Sequence, residues 1–478
     1  MTRPSIRQPT TGRLNVEYAG VTELRGPLIV VSGVSGVGWD ESVLIRTTSD
    51  SAETHSAETL VRHGLVLEVD RDLAVVQVFE GTDGLALGTT RVTFSGQSLR
   101  VKIGPGWLGR TCNGRGEPID GGPPISGTAT AAVAGNPLNP TQREPPSEPV
   151  LTGISAIDAL TTFVRGQKLP IFSVAGLPHI ELAAQIAAQS RAGNERFSVV
   201  FAAMGLTHAD ADAVRATLEE RSAAGELLLL LNTADDPVIE RILTPRIALT
   251  VAEHLAFELD HHVLVVLADM TSYAEALREV SAARGEMPGR RAYPGYLYSD
   301  LASLYERCWR VRGKPGSVTV LPVLTMPAGD ITHPVPDLTG YITEGQIVLA
   351  SDVHARGIYP PVDPLASLSR LMRHGTGAGL TREDHPELAA QLLSALARAQ
   401  QVRELAEIVG AAALNDTDQL YLQFATEFEQ RLVNQERDER RDLDETLARC
   451  WDVANVLPER ELTMLSQRFI DAHPRADR

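Results

Sequence analysis

Two residues stand where a phosphate-binding loop would keep its chemistry, and neither can perform it. Residues 167–189 read QKLPIFSVAGLPHIELAAQIAAQ. The short apolar run Leu169–Ser173 predicts a buried strand, and Leu182, Ile186 and Ala188 recur at helical spacing after a compact loop. Strand, tight loop and helix form the frame in which G-x-x-x-x-G-K-[ST] works: backbone N–H groups wrap the phosphates, the lysine reaches the β- and γ-phosphates, and the hydroxyl binds Mg²⁺. With Gly176 as the second glycine, Ile171 falls at the first glycine position, Leu177 at the lysine and Pro178 at the Ser/Thr. Leucine donates nothing to a phosphate, and proline has neither a hydroxyl nor a backbone N–H.

Other residues could still do chemistry. Asp269 ends the run HHVLVVLAD, and an acid at the carboxyl end of such a strand helps to hold Mg²⁺ in P-loop enzymes. The next segment, Ser272-Tyr-Ala-Glu275, fits a helix capping box, so Asp269 reads equally well as a turn residue. Gly114, Gly116, Gly121 and Gly122 are dense enough to suggest a phosphate loop, but no helix follows them and they read as turns. Arg290 and Arg291 sit in the Pro/Gly loop PGRRAYPGY, either solvated or a contact surface. Arg370 stands among small and apolar neighbours after a turn-rich approach; on that ground alone it reads as one more surface arginine. The lysines are Lys102, Lys168 and Lys314, and Lys168 precedes the predicted strand, at the wrong end to replace a phosphate ligand.

The elements that must position these groups fall into three regions. Residues 1–80 carry six or so short β-branched runs with turns between them, which predicts a small closed β-barrel. Residues 81–360 begin with turn-rich chain and then alternate strands with helices. The predicted strands are Leu169–Ser173, Ser198–Ala203, Leu227–Leu231, Val263–Ala268 and Val318–Leu324. The predicted helices include 209–223, 237–259 and 272–284. Continuously apolar strands between helices predict a mostly parallel sheet covered on both faces, with the five leucines 227–231 as a central strand. Residues 361–478 predict a helical bundle, with Leu388, Leu392, Ala395, Leu396 and Ala399 on one face and Leu420, Phe424 and Phe428 on another. The run QERDERRDLDET, 435–446, reads as a solvated helix or turn.

Composition bounds the partners. At 478 residues the chain exceeds one core, and 43% hydrophobic with 22% charged residues is ordinary for a soluble globular protein. A net charge of −17 argues against nucleic acid or an anionic membrane as the main partner. Cys112, Cys308 and Cys450 lie far apart with no metal-ligand spacing, which predicts reduced thiols of a cytosolic protein. With no apolar leader and no membrane-length run, any membrane role is expected to come through partners.

Long gapless motifs carry a resemblance: EYAGVTELRGPLIVVSGV, GRTCNGRGEPIDGGPP, RGQKLPIFS-x-x-GLPH-x-ELAAQIA, ADMTSYAEALREVSAARGEMPGRRAYPGYLYSDLASLYERC, THPVPDLTGYITEGQI and GIYPPVDPLASLSRLM. From about residue 15 onward the chain resembles the B subunits of V/A-type rotary ATPases and ATP synthases. The resemblance implies a non-catalytic, regulatory subunit alternating with catalytic A subunits in an A3B3 ring, with central-shaft and peripheral-stalk subunits as further partners. The ring would couple ATP synthesis or hydrolysis to proton or sodium transport through a separate membrane sector, at the cytoplasmic face of the cell membrane. ATP or ADP with Mg would lie at the A/B interface, with none held tightly by this chain alone and no metal site of its own. By the SLSRLM match, Arg370 is the arginine finger donated to the neighbour's ATP site; Gly176 and Asp269 would contribute weakly to nucleotide binding, and Arg290 and Arg291 would face the shaft. The family usually shows SGSGLPH where this sequence has Val174 and Ala175, and fewer glycines make phosphate wrapping by this loop harder still. Two competing expectations are a self-sufficient homohexameric P-loop-type ATPase and a purely structural ring subunit.

Overall fold

The computed structural model describes residues 16–50, 57–127, 129–135, 137, 139–193, 196–410 and 413–475. The first fifteen residues assigned to the barrel and the last three assigned to the bundle lie outside these. The chain forms two compact units, Met1–Val101 with Thr130–Ala134 and Lys102–Ala129 with Gly135–Arg478.

The first unit is a curled antiparallel sheet of seven strands: β1 Glu17–Tyr18, β2 Val21–Arg25, β3 Leu28–Ser32, β4 Glu41–Asp50, β5 Ala57–Asp70, β6 Leu73–Val78 and β7 Thr90–Ser98. Their order is β1-β7-β4-β5-β6-β3-β2, so the sheet extends beyond residue 80. Ile29, Val31, Val43, Ile45, Val66, Val76 and Val92 fill its inner face, as period-2 patterning dictates. Gly64 lets β5 and β6 approach: a Cβ there would lie 2.5 Å from the Gln77 carbonyl oxygen.

The second unit is built on a ten-stranded, mainly parallel sheet. Its main path uses β8 Thr111–Asn113, β9 Ile171–Ser173, β10 Phe197–Leu206, β11 Leu227–Thr233, β12 His262–Ala268, β13 Ser317–Thr325, β14 Gly345–Val348 and β15 Leu368–Ser369. The order across the sheet is β15-β14-β9-β13-β12-β10-β11-β8. The five-leucine strand β11 is therefore not central. It is buried on both faces, but its outer neighbour is only the three-residue β8; β12 and β13 hold the middle. Burial comes from the covering helices, which is why composition alone misplaced it. β9 is shorter than Leu169–Ser173 because Pro170 has no N–H to give to the ladder.

Helices α1 His179–Gln189, α2 His208–Ala223, α3 Val238–Glu258 and α4 Met270–Ala283 cover the sheet, and α5 His385–Val409, α6 Asp416–Glu427 and α7 Leu443–Ala454 follow it. One apolar core joins α1, α2, α5, α6 and α7 to the sheet: Leu182 and Ile186 of α1, Val199 and Phe201 of β10, Leu388 and Leu392 of α5 and Phe424 of α6 belong to the same cluster. The mixed-charge run 435–446 is not simply solvated. Arg441 is buried; it donates to the Leu432 carbonyl at 2.9 Å and the Asn434 carbonyl at 2.7 Å, and pairs with Glu439 at 2.6 Å. Gln435 donates to the Gly153 carbonyl at 2.7 Å. These side chains pin the segment to the core instead of facing water, which a charge pattern does not reveal. Among the described residues no helix is long and apolar enough to cross a membrane. Cys112, Cys308 and Cys450 are buried and unbonded.

Candidate functional site

The parallel strands give the sheet two chemically distinct ends. At the carboxyl end, the loop after β9 and the ends of β10 and β12 enclose a cleft of about 550 Å³, lined by Gly176, Pro178, His179, Glu181, Asp210 and Asp269 among others. Gly176 has φ 89°, the left-handed conformation that glycine adopts without strain. Leu177 is only 7% exposed and packs into the apolar core, so the lysine position has become part of the hydrophobic structure. Pro178 caps α1 without a side-chain hydrogen bond. The first turn of α1 presents Glu181, which pairs with Arg437 from the charged run. A carboxylate paired with an arginine thus stands where a phosphate would seek the helix N-terminus.

Asp269 is the N-cap of α4: its carboxylate accepts from the Thr271 N–H at 2.7 Å, and Thr325 Oγ1 lies 3.4 Å away. The helix therefore begins three residues before the expected Ser272 capping box, and Ser272 lies within its first turn. The strand end delivers its acid directly to the first free N–H groups, which outcompetes the later signal. Burial pushes the Asp269 carboxyl above its ordinary range, with the Thr271 N–H and the nearby His179 opposing. With a core leucine for lysine, a proline for the hydroxyl and the acid engaged in capping, these residues do not fit a Mg-triphosphate held by this cleft alone. Among the described residues no group of three or more His, Cys, Asp or Glu side chains is arranged to hold a metal ion.

Arg370 lies at the other end. β14 runs parallel to β9, pairing Ile171 with Ile347 and Phe172 with Val348; β15 turns back antiparallel, pairing Gly345 with Ser369. Arg370 follows Ser369 and so emerges at the amino end of the parallel strands, away from the loop containing Gly176. Its N–H donates to the Glu344 carbonyl at 3.0 Å. The residue is exposed, and no side-chain hydrogen bond or ion pair holds its guanidinium among the described residues. Lys168 also lies at this end, 1% exposed, with Nζ 2.9 Å from Glu344 Oε1, 3.1 Å from Glu306 Oε1 and 4.6 Å from the Trp309 ring centre.

Arg290 and Arg291 are tied to a facing segment. Arg290 pairs with Asp337 at 3.2 Å and donates to the Thr332 carbonyl at 2.8 Å; Arg291 pairs with Asp330 at 2.7 Å. Both stay substantially exposed. Gly114, Gly116, Gly121 and Gly122 belong to turns, where Asn113 Oδ1 accepts from the N–H groups of Arg115 and Glu117, and Asp120 Oδ1 from that of Gly122. Sequence reasoning passed over Gln167, Glu344 and Arg437. The glycine beside Glu344 was the available signal: Gly345 has φ 136°, and a Cβ there would sit 2.0 Å from the Leu368 carbonyl oxygen.

The comparisons with known proteins agree with this architecture. Residues 21–96 match the ATP synthase alpha/beta family beta-barrel domain, 153–369 its nucleotide-binding domain, and 374–474 the C-terminal domain of V and A type ATP synthase. The chain is 52% identical over 462 residues to the B subunit of the A-type ATP synthase of Aeropyrum pernix, covering 96% of this chain and 98% of the relative. A solved structure described as a unique ATP synthase subunit NeqB, from Nanoarcheaum equitans, is 34% identical and superposes with a TM-score of 0.69 over 86% of this chain and 98% of that one. A barrel, a nucleotide-binding-type sheet whose loop has lost its lysine, and the V/A-type C-terminal helices occur here in one chain: it belongs to the ATP synthase alpha/beta family, as a B-type member of the V/A branch.

Proposed function

We propose that this chain is the non-catalytic, regulatory partner in an A3B3 ring, and that it completes the ATP site of the adjacent catalytic A subunit through donation of Arg370. The observation that carries this reading is the separation of functions between the two ends of one sheet. The chain's own cleft buries a leucine at the lysine position. Arg370 stands at the opposite end, exposed and unpaired among the described residues, unable to serve that cleft. An always-charged planar fork suits the phosphoryl charge that develops in the transition state. ATP or ADP with Mg then lies at the A/B interface. Gly176 and Asp269 contribute weakly to any nucleotide held on this side, and Arg290 and Arg291 face the central shaft. The ring couples ATP synthesis or hydrolysis to proton or sodium movement through a membrane sector built from other subunits, and sits at the cytoplasmic face of that membrane.

The test is a ring reconstituted from this chain and its catalytic partner. With Arg370→Ala the ring should assemble and lose ATP turnover by roughly 10³- to 10⁵-fold. The chain alone should hydrolyse no ATP. Normal turnover by the mutant ring would remove Arg370 from the site, and turnover by the isolated chain would restore the homohexamer reading.

A further inference from the structure

We propose that Gln167 and Lys168 are positioning residues for Arg370, locking the antiparallel β14–β15 pair so that the guanidinium leaves the surface in one place and one direction. The inference rests on the reading of Arg370 as a donated arginine. Since no hydrogen bond or ion pair among the described residues holds the Arg370 side chain, its placement depends on its backbone. That backbone leaves an antiparallel strand pair of only two paired positions, Gly345 with Ser369 and Gln346 with Leu368. A pairing so short at a sheet edge does not hold itself.

The missing restraint comes from beneath. Gln167 is fully buried. Its Oε1 accepts from the Val164 N–H at 3.0 Å, and its Nε2 donates to Ser369 Oγ at 2.9 Å and to the Glu344 carbonyl at 3.3 Å. The same Glu344 carbonyl accepts the Arg370 N–H. One amide therefore grips both residues that fix Arg370: its chain neighbour and its hydrogen-bond acceptor. Lys168 holds the other half of Glu344. Its N–H donates to Oε2 at 2.8 Å and its Nζ pairs with Oε1 at 2.9 Å. Nζ also pairs with Glu306, which Arg143 holds from its other oxygen at 2.5 Å. Ser369 Oγ donates onward to the Thr162 carbonyl at 3.3 Å.

A buried ion pair is weak evidence for stability, because desolvation offsets much of its attraction; fixing one geometry is its better-attested use. Here the geometry fixed is that of residues 344 and 369. Lys168 thereby acquires a role that its place in the sequence denied it, at the right end of the sheet for the arginine and the wrong end for a phosphate.

The experiment measures kcat and KM for ATP in the reconstituted ring carrying Lys168→Met or Ser369→Ala, each alone and in an R370A background. K168M should lower kcat by on the order of 10²-fold, the cost of a displacement of about 1 Å at a catalytic group, with KM for ATP little changed. In the R370A background it should lower kcat little further, because both changes remove the same interaction. S369A removes one hydroxyl and leaves every charge in place; it should give a smaller loss with the same dependence on Arg370, and it carries the test alone if K168M rings fail to assemble. Losses that add independently of Arg370, or S369A and K168M rings at full rate beside a dead R370A ring, would overturn this proposal while leaving the reading of Arg370 intact. Normal turnover by R370A itself would overturn that reading, and this proposal with it.

Discussion

The two ends of the central sheet differ in what they offer a phosphate. At the carboxyl end, where the fold offers free N–H groups and a helix N-terminus to an anion, the chain presents Glu181 and a buried Asp269 and fills the lysine position with Leu177. At the amino end it buries Lys168 between Glu306 and Glu344 and leaves Arg370 exposed, with no side-chain partner among the described residues. The lesson is that the shape of a phosphate-binding fold does not require that site's chemistry. At the position where a phosphate-binding loop would use lysine on the ligand, Leu177 contributes to the core. Under the proposed function, the chain's phosphate-directed group is instead Arg370, exposed at the opposite end of the sheet.

Four measurements would break or sharpen this contrast. Arg370→Ala carries the largest effect, roughly 10³- to 10⁵-fold in ring turnover, or about 4–7 kcal/mol of barrier. Arg370→Lys should recover little of it, because an ammonium cannot reproduce the planar fork. Leu177→Ala should cost about 2–4 kcal/mol in equilibrium unfolding of the isolated chain, as expected of a buried leucine, while the assembled ring keeps its turnover. A collapse of turnover without loss of stability would instead make the carboxyl end catalytic.

Asp269 gives the third. Burial raises its folded-state carboxyl above the unfolded value. Between the two values the folded chain holds a proton that the unfolded chain has already released. The stability this contributes is full below the ordinary aspartate range and is lost as pH rises through the raised value. Asp269→Asn should remove that pH-dependent component from denaturation curves measured at successive pH values, whereas Asp269→Ala should also lose the helix cap, about 1 kcal/mol. The smallest effect on stability belongs to Arg290 and Arg291. Their pairs with Asp337 and Asp330 are exposed, so replacing either arginine with alanine should cost the isolated chain under about 1 kcal/mol. Binding of the assembled ring to the shaft should weaken more than this stability change would imply.

Much of this was legible in the residues themselves. The strands Ser198–Ala203 and Val263–Ala268 declared themselves by unbroken apolar runs, and the defect at Leu177 and Pro178 needed only the loop's spacing. The start of α4 was misread because a capping box and an N-cap aspartate compete within four residues, and only the strand's end point decides between them. Lateral position defeated the reading of β11 for a related reason: five leucines report burial, while order across a sheet depends on crossovers far away in sequence.

What the sequence determined by itself was chemical capacity: which side chains can donate, accept or carry charge, and that the loop after β9 lacks the groups to grip a triphosphate. Direction was decided by the tertiary structure. Parallel pairing sends the Gly176 loop to one end of the sheet and the antiparallel return of β15 along β14 sends Arg370 to the other, and contacts 202 and 176 residues apart in sequence, Gln167 to Ser369 and Lys168 to Glu344, fix where that arginine leaves the surface. Such contacts depend on the closure of the whole sheet, so no local pattern in the chain encodes them.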